Sequence, residues 1–112
     1  MELEKFLEIA KGIDKKKKEK KEETEKLQKF FERFHLLNRA YLDKETFERA
    51  QESVFSMAEA IANTIRYLDE EIARLRNKGR KQPFENVALG EMQKVQHRNG
   101  MLIKEYLSDL SK

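Results

Sequence analysis

The sequence predicts an all-α protein, an antiparallel three-helix bundle of long helices with coiled-coil-like packing. Three observations carry that expectation. Apolar side chains recur at helical spacing along nearly the whole chain. No run of alternating β-branched residues occurs, so no strand is expected. Charged residues make up 40% of the chain, yet the formal net charge is only +3, which fits solvated helix faces better than a self-repelling disordered chain.

The first element is read as a helix over about residues 2–41. Leu3, Phe6, Ala10 and Ile13 form an apolar stripe, and Leu27, Phe30, Phe31, Phe34, Leu37 and Tyr41 form another. Between them lies DKKKKEKKEETEK, Asp14 to Lys26, without a large apolar residue. One heptad frame connects the two stripes through Lys17, Lys20 and Thr24. The pairs Glu22–Lys26 and Glu25–Lys29 stand at favourable i,i+4 spacing. The alternative is a break in which Gly12 ends a short helix and Asp14 caps the next. The unbroken helix is preferred, because one internal glycine costs only about 1 kcal/mol.

The second helix is expected over about residues 44–78. Val54, Ile61, Leu68 and Leu75 recur at sevens, with Ala58, Ile65 and Ile72 at the other seam position. Asp43 is the candidate N-cap, Leu42 and Phe47 a candidate staple across it, and Gly79 followed by Pro83 the stop. The third helix, about residues 84–111, carries Phe84, Ala88, Met92, Val95, Leu102, Tyr106 and Leu110 on one stripe. Asn99-Gly100 falls inside it, either as a turn or as a weak point. A single helix, straight or kinked at that point, is the preferred reading. A break near Gly12 or Gly100, or dimerisation, would turn three helices into four.

At 112 residues the chain fits one helical-bundle domain, 1–112, large enough for a core without staples. The absence of cysteine excludes disulfides, thiolate metal sites and a cysteine nucleophile, and a cytoplasmic location is expected. The acidic start MELEKF is unlike a signal peptide, and no apolar run approaches a membrane span.

No constellation supports catalysis, so the protein is read as a non-enzyme without cofactor, metal or small-molecule substrate. Glu32 and His35 have the Glu-x-x-His spacing of di-metal bundles, but His97, the other histidine, has Lys94 at the matching place. The four glycines build no phosphate loop, and no serine has a histidine and an acid at a helical spacing that joins them. No family resemblance is carried by a motif. The likeness to the three-helix units of spectrin-like proteins is one of coarse architecture, with no tryptophan or other signature behind it.

Two interaction surfaces follow from the expected bundle. Phe30, Phe31, Phe34 and Leu37, with Phe55, place more apolar surface at one end than three helices need, which makes them candidates for protein contact. At the other end, Lys15, Lys16, Lys17 and Lys18 lie near Arg76, Lys78, Arg80 and Lys81, a candidate anion-binding surface. The function expected is a small protein–protein interaction module, such as an adapter, chaperone-like protein or assembly factor. The alternative is a basic accessory protein in weak, sequence-tolerant contact with nucleic acid. Self-association as a homodimer is expected, because the polar gap in the first helix leaves Ile61, Ile65 and Leu68 under-covered.

Overall fold

Phe6, Ala10 and Ile13 find their partners by turning back. In a computed structural model describing residues 2–16 and 19–110, α1 (Leu3–Lys15) and α2 (Lys21–Leu37) are separate helices. Phe6 meets Phe30 at 5.7 Å between ring centroids, while Ile13 shares a crevice with Lys20 and Glu23. These pairings make α1 antiparallel to α2. The expected continuous helix is therefore corrected, and the break lies in the lysine-rich stretch, not at Gly12. An extended helix would leave the Phe6 stripe without neighbours. Folding back makes Phe6, Ala10 and Ile13 buried, and each large side chain so buried contributes about 1.5–3 kcal/mol. Like charges crowded at i,i+4 in the lysine run weaken the helical alternative further.

The second expected helix is also divided, into α3 (Lys44–Ala50) and α4 (Val54–Asn77). Ser53 caps α4: its backbone is extended, and its Oγ accepts a hydrogen bond from the Ser56 amide at 3.0 Å. Asp43 does precede α3 as its N-cap residue, with an extended backbone, and hydrogen bonding to the Thr46 side chain, with a smaller contribution from the Thr46 backbone, holds its carboxyl below the ordinary value. Phe47 lies on Phe31, with ring centroids 4.8 Å apart, and on His35, at 4.1 Å. The short α3 thus runs back along α2 and returns the chain to the level where α4 begins.

The third expected helix forms as α5 (Pro83–Leu110), continuous through Asn99 and Gly100. Pro83 stands at its first turn, where a missing N–H costs nothing. α5 runs antiparallel to α2, since Arg33 meets Glu105, Phe30 meets Tyr106 and Asn38 meets Asn99. It also runs antiparallel to α4, since Gln96 meets Ile65 and Asp69, while Lys78 meets Glu85. It follows that α2 and α4 are parallel, which corrects the simple up-down-up order.

The core joins one face of every helix. On α4 the predicted seam is buried at Val54, Ala58, Ile61, Ile65, Leu68 and Leu75. The buried face of α5 is rotated from the predicted stripe: Ile103, Tyr106 and Leu107 are buried with Gln96 and Asn99, whereas Phe84 is 72% exposed. Ile61, Ile65 and Leu68 are at most 1% exposed, because α1 and α5 both pack against α4. The expected self-association surface on these three residues is therefore absent. The described residues contain no strand, and none of their helices is long and apolar enough to cross a membrane.

Candidate protein-binding groove

Leu36 lies two residues after Phe34, about 200° around α2, so burying Phe34 turns Leu36 outward. The same geometry on α5 places Met101 opposite Ile103 and Asn99. Leu36 and Met101 are 60% and 59% exposed. With Leu37, Leu102 and the flanking Arg33, Arg98 and Glu105 they line an open groove of about 500 Å³. Arg33 crosses it to Glu105 through two guanidinium–carboxylate hydrogen bonds of 3.2 and 3.4 Å. Both side chains are more than half exposed, so this bridge adds little stability. Beyond it a second depression reaches Lys29, Phe30, Tyr106 and Asp109.

A polar network lies in the core between the three long helices. Asn38 and Asn99 exchange amide hydrogen bonds. Asn99 also donates to Gln96 at 3.0 Å, and Gln96 donates to the Ile65 carbonyl at 2.9 Å and to Asp69 at 2.7 Å. Each amide has a partner, as burial demands. The network fixes the register of α2 and α4 on α5, and so the shape of the groove above.

The Tyr106 hydroxyl is the exception. It is buried without a hydrogen-bond partner among the described residues. Burial, with a smaller contribution from the Glu23 charge, pushes its pKa well above the ordinary tyrosine value. Its ring contacts Phe6 and Phe30, and the packing of three rings sets its position.

The predicted protein-contact residues divide. Phe30, Phe31 and Phe34 are buried, at most 4% exposed, and belong to the core. Leu37 is half-buried and lines the groove. Phe55 is half-buried at the start of α4 and is not among the groove residues. Sequence reasoning missed Met101, Arg98 and Glu105, and it grouped Leu36 with the apolar end without selecting it. The sequence offered no signal that brings them together, because the buried face of α5 is rotated from the predicted stripe.

The two basic groups do not come together. Lys15 and Lys16 are exposed where α1 leads towards α2, while Lys17 and Lys18 lie outside the described residues. That end adjoins Leu107 and Leu110 of α5. Arg76, Lys78, Arg80 and Lys81 surround the α4–α5 connection, beside Glu85. Glu85 and Leu107 are 22 residues apart on one helix, roughly 33 Å, so the groups occupy opposite ends. Several tip cations are also engaged. Lys78 Nζ donates to Glu85 at 2.6 Å, Lys81 Nζ to the Lys78 carbonyl at 3.1 Å, and Arg74 to Glu71 at 2.8 Å. The Lys78 bond, then the Gln82 amide, hold the Glu85 carboxyl below its ordinary pKa.

Among the described residues no group of three histidine, cysteine or acidic side chains is placed to hold a metal ion. His35, considered above as half of a Glu-x-x-His pair, stacks on Phe47 instead. No family model, curated protein or solved structure matches this chain.

Proposed function

We propose that the protein is a non-enzymatic interaction module that binds protein along the α2/α5 groove. The observation that carries this reading is the pairing of Leu36 and Met101, two large apolar side chains held outward on adjacent helices above a half-buried floor of Leu37 and Leu102. Arg33, Arg98 and Glu105 give the rim charges that select an orientation. A groove between two helices suits the apolar face of a third helix, presented by side chains at i, i+3 and i+4.

The nucleic-acid reading has weaker support, since phosphate contact by both basic groups would need them on one surface. They lie at opposite ends, and Lys78 and Arg74 already face carboxylates.

The test is site-specific photo-crosslinking from Leu36 and Met101, with Glu59 as a distant control. Crosslinks to a protein at the first two positions, lost in Leu36→Glu and Met101→Glu variants that melt like the wild type, support the groove. Equal crosslinking from Glu59 would remove it as the binding surface.

A further inference from the structure

Along one stripe of the outer face of α5 the charges divide about an apolar centre, with exposed Lys104 off that stripe and exposed Glu91 three residues before it. Lys94, Arg98, Met101 and Glu105 follow one another at spacings of four, three and four, and all four are exposed. They therefore form one stripe, with its bases before Met101 and its acid after. Lys94 has only a loose contact with Glu91, 3.9 Å. Arg98 has no carboxylate partner among the described residues. Glu105 is held by Arg33 alone, in the exposed bridge across the groove.

We propose that the occupant of this face is a second copy of the same chain, docked α5 against α5 in an antiparallel, two-fold arrangement centred near Met101. This rests on the groove being a protein-binding surface, and it names the partner. Rotation by 180° about an axis at Met101 carries Lys94 and Arg98 of one protomer over Glu105 of the other, and the reverse, so both halves gain opposite charges at once. A patch that complements itself under such a rotation is what an isologous dimer requires. A parallel arrangement would set base on base and acid on acid. Leu36 and Met101 from each copy meet at the centre, flanked by Arg33, Arg98 and Glu105.

The dimensions set the strength. Lys94 to Glu105 spans about 17 Å along the helix, and α2 with α5 is roughly 20 Å wide. That face falls short of the roughly 800 Å² per partner of a standard stable interface. Association is accordingly weak, in the micromolar range or above, and is weakened further by salt because its charges are exposed.

Sedimentation equilibrium from micromolar to millimolar protein at low salt tests it. A monomer–dimer equilibrium is expected. Arg98→Glu alone and Glu105→Arg alone each set like charges opposite one another and weaken the dimer by on the order of tenfold or more. The double variant Arg98→Glu/Glu105→Arg restores it, and a mixture of the two single variants forms a heterodimer tighter than either homodimer. Thermal melts exclude unfolding as the cause, since the lost Arg33 bridge is a surface pair. A wild-type monomer throughout the range, or a dimer indifferent to both reversals, overturns the proposal. If the wild type is monomeric while Leu36→Glu still abolishes the crosslinks, the second copy is excluded and the groove stands. If Leu36→Glu changes neither assembly nor crosslinking, the groove fails as well.

Discussion

Asn38 and Asn99, 61 residues apart in sequence, exchange two hydrogen bonds in the core: Asn38 Nδ2 donates to Asn99 Oδ1 at 2.8 Å, and Asn99 Nδ2 donates to Asn38 Oδ1 at 3.1 Å. Both residues are fully buried. A slip of α2 along α5 by one turn would leave both amide oxygens unpaired in an apolar setting, each nitrogen keeping only its bond within its own helix, to the Phe34 carbonyl and to Gln96, so the pair selects one register out of several that hydrophobic burial alone would tolerate. Asn99→Ala is expected to cost about 1–3 kcal/mol, since it strands the Asn38 amide oxygen, whose nitrogen keeps the Phe34 carbonyl. Asn38→Leu/Asn99→Leu together should recover most of that loss. Urea unfolding of the single and double variants measures the coupling, and simple additivity would show that the two amides act independently.

The three phenylalanines of α2 should behave as core. Phe30→Ala, Phe31→Ala and Phe34→Ala are each expected to lower stability by about 3–5 kcal/mol through lost transfer energy and a residual cavity. Leu36→Ala, on the outer face, should stay within about 0.5 kcal/mol. Thermal and urea melts of the four variants distinguish these positions. A small loss at Phe30 would mean that its side chain is open to solvent between α2 and α5.

Glu85 links stability to pH. Its carboxylate accepts from Lys78 Nζ and from the Gln82 amide at 3.0 Å, so its folded pKa lies below the ordinary value of 4.5. A depressed carboxylate contributes stability that is present above its unfolded pKa and is lost as pH falls through the folded one. Wild type should therefore be more stable than Glu85→Gln at neutral pH, with the difference shrinking below about pH 4.5. Melting both proteins from pH 7 to pH 3 reads this directly. A gap that widens on acidification would contradict the assignment.

Tyr106 carries a buried hydroxyl without a partner among the described residues. Tyr106→Phe keeps the ring against Phe6 and Phe30 and removes an unpaired polar atom. No loss of stability is expected, and a gain of up to about 1–3 kcal/mol is open to it. A clear loss in calorimetry would mean that the hydroxyl has a hydrogen-bonded partner in solution, such as an ordered water.

The parts of the fold legible in sequence are those with a local cause. The sevens of Val54, Ile61, Leu68 and Leu75 mark the seam of α4 and are buried as expected, and Pro83, read as part of the stop before the third helix, opens α5. Asn99-Gly100 reads locally as a weak point, yet α5 continues through it because Asn99 finds Asn38. Ser53 was legible in principle as an N-cap before Val54. The run of apolar residues on both sides concealed it, because periodicity carries across a short cap as readily as across a continuous helix.

Helical character and, for most of the chain, the buried face are written locally in the residues. Helix formation depends on bonds four residues apart and on apolar spacing, both of which are written locally. The place of Phe6, the parallel run of α2 and α4, and the apolar side chains left outside are set by packing between helices. Those outcomes depend on burial against partners distant in the chain. Phe6 lies against Tyr106 only because α2 runs back along α1, and no local term between the two helices records the burial gained by that return. For the same reason Leu36 and Met101 are recognisable as a surface only after α2 and α5 have been placed side by side.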